Sequence, residues 1–92
     1  MPDIHRIRLR DPWTAEPLAD GRTRSARRFG RPTNLGTARV WLVLPGPAEV
    51  WLNGERLGDA SDFDVTGRLA ERNTLEVRTV GPLSEAVIEV RE

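Results

Sequence analysis

The stretch that decides the fold is Val40-Trp41-Leu42-Val43-Leu44-Pro45-Gly46-Pro47-Ala48-Glu49-Val50-Trp51-Leu52-Asn53-Gly54-Glu55-Arg56-Leu57-Gly58. Successive side chains of a strand point to opposite faces, so period-two alternation marks one buried face. Here Ala38, Val40, Leu42 and Leu44 form one apolar row, and Ala48, Val50 and Leu52 form another. Asn53-Gly54 is a strong two-residue hairpin signal, because a type I′ turn needs φ > 0 at both central positions. It pairs Leu52 with Glu55 and Val50 with Leu57. Pro45-Gly46-Pro47 reads as a three-residue hairpin loop, which sets Leu44 against Ala48 and Leu42 against Val50. That register places Trp41 directly opposite Trp51 on the other face, and makes 48–52 a central strand.

Outward from this core, turn formers punctuate the chain at Asp11-Pro12, Gly21, Gly30 with Pro32, Gly36, Gly67 and Gly81-Pro82. The segments between them are too short for most helices, and β-branched residues alternate with charged ones. This pattern predicts a small all-β protein, an antiparallel two-sheet β-sandwich of about seven or eight strands. Strands are expected near 4–10, 25–29, 37–44, 48–53, 55–58, 73–80 and 85–91. Segment 11–36 reads as a long loop with one short strand around Ala26–Phe29. Asp64-Val65-Thr66-Gly67-Arg68-Leu69 reads as a capped helical turn whose Leu69 drops into the core. No internal repeat, low-complexity tract or linker is evident, so residues 1–92 are expected to form one domain.

Composition narrows the function classes. The chain has no Cys, which rules out a disulfide or a thiolate metal site. Val40–Leu44 is the longest apolar run, far short of the ~20 residues of a transmembrane helix. Met1-Pro2-Asp3-Ile4-His5-Arg6 lacks the apolar core of a secretory signal, so a cytoplasmic location is the expectation. All 14 basic residues are Arg, and the formal net charge is zero. A neutral chain is not expected to grip nucleic acid through its overall field.

Glu49-Val50-Trp51-Leu52-Asn53-Gly54-Glu55-Arg56-Leu57-Gly58 resembles the "V-W-L-N-G-x-x-L-G" hairpin of the sugar-binding domain of family 2 glycoside hydrolases. Phe63-Asp64-Val65-Thr66 with Leu69 is similar to that domain's "D-V-T-x-x-L" segment, and Asn73-Thr74-Leu75-Glu76-Val77 to its "N-x-L-x-V" strand. Arg28-Phe29 and Pro32 are similar to the strand before its core hairpin. The resemblance is good over 37–79, moderate over 25–36 and poor elsewhere. It implies a galactose-binding-like jelly roll in shortened form, and a non-catalytic, carbohydrate-binding-like module. The alternative it leaves is a structural or protein-interaction domain that keeps the fold without the sugar. The catalytic barrel that this domain supports in the large hydrolases does not fit in 92 residues.

The candidate ligand-binding residues are Trp41, Trp51, Trp13 and Arg39. An aromatic pair on an outer sheet face can stack on a sugar or anchor a protein partner. The plainer alternative is that both rings belong to a covered face and that Trp13 plugs one end of the fold. Arg22, Arg24, Arg27, Arg28 and Arg31 form a basic patch with no acid among residues 21–34. It suits an acidic partner, or else a solvated surface balanced by acids elsewhere. Asp59, Ser61, Asp62 and Asp64 are closely spaced oxygen donors, but they lack EF-hand spacing and suit turns and a cap, so no metal is expected. His5 is the single His. Ser25, Ser61 and Ser84 stand in no nucleophile-elbow motif, no carboxylate pair is marked out, and no Gly-rich phosphate loop exists. No catalytic activity and no cofactor are expected.

Overall fold

The computed structural model describes residues 4–10, 12–81, 83 and 85–92. Asp11, Pro82 and Ser84, named above among the turn signals and serines, lie outside the described residues, as do Met1 to Asp3. Seven strands follow in order: β1 (Ile4–Leu9), β2 (Thr14–Pro17), β3 (Thr23–Gly30), β4 (Arg39–Leu52), β5 (Glu55–Asp64), β6 (Arg72–Thr79) and β7 (Ala86–Arg91). All are antiparallel to their neighbours and join one continuous curled sheet, in the order β1-β7-β4-β6-β3-β2 with β5 on β4. The all-β expectation therefore holds, and a single sheet takes in all seven strands.

The main correction concerns Pro45-Gly46-Pro47. It is not a hairpin loop. It lies inside the 14-residue strand β4, so the paired register of Leu44 with Ala48 and of Trp41 with Trp51 does not occur. The alternation simply continues. Val40, Leu42, Leu44, Ala48, Val50 and Leu52 are all buried along one side of one strand. The prolines are tolerated because the ladder is interrupted where they stand. On one edge, β5 pairs with β4 up to Val43 and resumes at Ala48. On the other edge, β7 pairs with Arg39–Val43 and β6 takes over at Glu49–Leu52. Between these partners β4 has few backbone bonds to lose, which is where a sheet admits proline.

The Asn53-Gly54 turn is as expected. Both central residues have positive φ, +53° and +83°. Leu52 faces Glu55, but Val50 faces Gly58 rather than Leu57, because one extra residue bulges β5 at this point. Gly58 absorbs the distortion at φ +143°. The turn is tied to β6 through side chains. Asn53 accepts from the Thr74 N–H through Oδ1 at 2.8 Å and donates through Nδ2 to Asn73 Oδ1 at 3.0 Å. Asn73 is buried and donates in turn to the Ala70 carbonyl at 2.9 Å, while its Oδ1 accepts from the Ala70 N–H at 2.9 Å.

Segment 11–36 holds more structure than expected. β2 is a short, wholly exposed edge strand against Thr23–Ala26, and β3 extends over eight residues. An exposed edge strand needs no apolar row, so its polar sequence Thr14-Ala15-Glu16-Pro17 carries no periodic signal. Residues 65–70 form a turn rather than a helical turn; of the two residues able to cap it, Asp64 and Thr66, it is Asp64 that does, with Oδ1 accepting from the Thr66 N–H at 3.0 Å, while Thr66 Oγ1 accepts from the Val40 N–H at 2.7 Å. The core joins β4 to Leu75 and Val77 of β6, Ala86 and Ile88 of β7, Leu9 of β1, and the loop residues Val65 and Leu83.

Two substitutions test this frame. Gly54→Ala strains the positive-φ turn and is expected to cost about 1 kcal/mol or more, a fall in Tm of roughly 4–8 °C. An unchanged Tm means the turn is not type I′. Asn73→Ala removes a buried side chain that bonds the Ala70 backbone and Asn53, and is expected to cost about 2 kcal/mol in urea unfolding. A loss below about 0.5 kcal/mol shows that water replaces the side chain.

Candidate functional site

Odd-numbered residues of β4 point away from the core, so Trp41 and Trp51 stand on the outer face, both half-buried. They are ten positions apart on one strand, roughly 30 Å at about 3.3 Å per residue. Each ring is covered by an arginine. The Arg91 guanidinium carbon lies 4.6 Å from the Trp41 ring centre and that of Arg78 lies 4.4 Å from Trp51. A cation over an indole face is attracted by the ring quadrupole.

The two surroundings repeat each other. Val40-Trp41-Leu42 pairs with Ile88-Glu89-Val90, and Val50-Trp51-Leu52 pairs with Leu75-Glu76-Val77, in the same register. In both, the glutamate opposite the Trp binds the arginine two residues on. Arg91 meets Glu89 at 2.7 Å and Arg78 meets Glu76 at 3.1 Å. Each glutamate takes a second arginine from a neighbouring strand, Arg6 at 3.0 Å and Arg24 at 2.8 Å. The likeness is local to these pairings and is not a repeated unit of the chain. The signal was present as two V-W-L triplets and two aliphatic-Glu-Val-Arg quartets, and cross-strand pairing is what makes them one feature.

Further carboxylates on this face are held by arginine as well. Glu49 lies 3.0 Å from Arg56 and 3.1 Å from Arg22, and the hydrogen bonds from Arg56 and then Arg22 hold its pKa below the ordinary value. Glu89 is lowered by Arg91 first and Arg6 second. Asp64 falls from 3.8 to about 2, chiefly through its bond from Arg39 and then through Thr66. Arg39 is therefore an ion-pair partner of Asp64 on the outer face. Trp13 lies apart from both other indoles. It packs against the core and donates Nε1–H to the Leu9 carbonyl at 3.1 Å.

The basic patch divides. Arg22 and Arg24 join the ion-paired face, Arg22 through Asp20 and Glu49, Arg24 through Glu16 and Glu76. Arg27 bonds backbone oxygens instead, Arg10 O at 2.6 Å and Arg28 O at 2.9 Å. Among the described residues no carboxylate pairs with Arg27, Arg28, Arg31 or Arg72. These four arginines line a groove between β1 and the segment 27–34. One part, of about 460 Å³, has Ile7, Leu9, Phe29 and Ile88 as its apolar lining; the other, of about 550 Å³, continues past Ile7 to His5 and Asn34. The sequence marks Arg27, Arg28 and Arg31 but neither Arg72 nor the groove, since β1, the 27–34 segment and Arg72 come together there only through the curl of the sheet.

Asp59 and Asp62 lie on β5 opposite Glu49 and Val43. Among the described residues no three His, Cys, Asp or Glu side chains are grouped to hold a metal. Ser25 is buried, and its hydroxyl accepts from the Leu83 N–H at 3.4 Å. In comparisons with known proteins, no family model and no curated protein matches this chain.

The ion pairs imply an acid limb of stability. A carboxylate whose folded pKa lies below its unfolded value stabilises the fold above the unfolded pKa, and that contribution is lost as pH falls toward the folded one. For Asp64 the window runs from about pH 4 down to about pH 2. Urea midpoints should fall through this window in the native chain and fall less steeply in Asp64→Asn. Parallel curves would show that the Arg39 and Thr66 bonds do not persist in solution.

Proposed function

We propose that this domain is a non-catalytic interaction module, of shortened jelly-roll type, that captures a protein partner in the groove beside β1. The observation behind this reading is the contrast between its two surfaces. On the outer face, Glu16, Asp20, Glu49, Asp64, Glu76 and Glu89 have arginine partners and both indoles have guanidinium lids, so a ligand at the indoles must displace existing contacts; Asp59 and Asp62, on the same face, pair with no described arginine. In the groove, arginines without described carboxylate partners surround apolar side chains. The groove volumes fall within the roughly 300–1,000 Å³ of ligand sites, and apolar lining with a few oriented polar groups is their usual make-up.

Carbohydrate binding is the second reading, supported by the resemblance of the 49–58 hairpin to a sugar-binding domain and by the two half-buried indoles. Its difficulty is spacing. Rings roughly 30 Å apart cannot sandwich or share one monosaccharide. Only a long oligosaccharide lying along β4 would touch both.

The test is a random-peptide display selection on the immobilised domain, with amide and indole NMR shifts used to map each selected peptide and a panel of oligosaccharides. Peptides are expected to perturb β1 and residues 27–34, and sugars to leave the Trp41 and Trp51 indoles unmoved. Saturable indole shifts with an oligosaccharide, together with no groove-binding peptide, overturn the interaction reading in favour of the sugar.

A further inference from the structure

The groove is lined on one side by β1 together with Ile88 and Val90 of β7. β1 pairs with β7 over all six residues, and among the described strands nothing pairs with its other edge. Ile7, Arg8 and Leu9 line the first part of the groove, and His5 and Ile7 the second. The backbone groups on that edge are therefore available to an added strand, the mode by which extended peptides bind open sheet edges.

Side-chain parity then sets what the strand must look like. Ile7 and Leu9 face the core side, while Arg6 and Arg8 face out. Residues directly opposite each other in an antiparallel pair share a face and interact, and like charges there are destabilising. An added strand must present apolar side chains on the face of Ile7 and Leu9 and acidic ones on the face of Arg6 and Arg8. The opposite wall adds Arg27, Arg28, Arg31 and Arg72; among the described residues Glu92 is the carboxylate that lines the groove, at its far end, while Glu89 and Glu85 pair with Arg6 and Arg8 of β1. A second copy of this chain is a poor occupant. Antiparallel pairing of two β1 strands with their apolar faces aligned sets Arg6 against Arg8.

We propose that the open edge of β1 binds an extended acidic peptide with alternating apolar and carboxylate side chains, added antiparallel as a further strand of the sheet. This rests on the interaction-module reading above and names the partner's chemistry. The bound peptide gains backbone bonds from β1 and charge-assisted bonds from the arginines, which are about twice as strong as neutral ones. Its apolar side chains cover Ile7 and Phe29, which are only partly buried without it.

The probe is a blocked hexapeptide of alternating Val and Glu. Its controls are the Val/Lys counterpart and the same Val/Glu peptide N-methylated at every second residue. NMR titration and amide exchange of the ¹⁵N-labelled chain provide the readout. The Val/Glu peptide is expected to protect amides of Ile4–Leu9, the Val/Lys peptide to bind at least about tenfold more weakly, and N-methylation along the pairing edge to abolish binding. In an Arg8→Glu/Arg28→Glu chain, whose two changed side chains are exposed, the preference is expected to reverse toward Val/Lys. A circular dichroism melt like the native one shows that this chain is folded. Equal binding of Val/Glu and Val/Lys, indifference to N-methylation, or shifts confined to other strands overturn the inference. Selected peptides that fill the groove without acidic alternation also overturn it, while leaving the interaction module standing. If no peptide binds the groove at all, both readings fail.

Discussion

Every second side chain from Ala38 to Leu52 faces inward, and the rest of the sheet is arranged to cover that row. Gly46 supplies no side chain to it, and the other members are buried. A row this long exceeds what one short neighbour can cover. The chain therefore sends β7 to the first half of β4 and β6 to the second, along one edge, while β5 follows the other edge with a break between Val43 and Ala48. The handover between β7 and β6 leaves a gap in the ladder, and Pro45 and Pro47 occupy that gap. A proline at position 41 or 51, by contrast, would stand where β4 is paired on both sides, and would lack an N–H there. The interior of one strand thus dictates where its neighbours start and stop.

The outer face follows from the same row. Because the inward row keeps its phase, Trp41 and Trp51 take equivalent outward positions, each opposite a glutamate and each under an arginine. Each unit sets one glutamate between two arginines at either end of β4, and Glu49, Asp20, Glu16 and Asp64 also take arginine partners on this face. Individually such partly exposed pairs contribute little to stability, typically 0–1 kcal/mol. Their collective effect is to leave few unspent charges on this surface. The zero net charge of the chain thus offsets a groove where arginine predominates with acids elsewhere, among them Asp59 and Asp62 of β5, which pair with no described arginine.

How much of this was legible in the sequence depends on which signals are local. Asn53-Gly54 was readable because its turn chemistry needs no tertiary partner. The rows in 38–44 and 48–52 were readable because burial is periodic. Pro45-Gly46-Pro47 was misread for a definite reason. A connector of three residues preserves parity, so a hairpin loop and a continuous strand predict the same inward residues on both sides of it. What separates them is whether a ladder partner is present beside the prolines, and that is tertiary information. β2 was missed because an exposed edge carries no apolar alternation. Arg27, Arg28 and Arg31 were visible as a cluster, whereas Arg72 and the apolar lining from Ile7, Leu9 and Ile88 come from distant parts of the chain. Arg22 and Arg24 look the same as their neighbours in sequence, and only strand phase and the position of Glu49 and Glu76 separate them from the groove.

An open sheet edge is a hazard, since unpaired backbone groups invite pairing with any extended chain, including another copy of the same protein. Charged residues along an edge strand are one protection, and β1 carries Arg6 and Arg8 on its outward side, with Arg10 just beyond its end. Glu89 compensates Arg6 closely, but Glu85 meets Arg8 and Arg10 only at 3.6 and 3.7 Å and is shared between them. The charge left over has two consequences that cannot be separated. It repels a second β1, and it attracts a strand of opposite charge. The same arginines that keep the edge from pairing with itself therefore select what it pairs with, so protection against self-association and choice of partner follow from one physical cause.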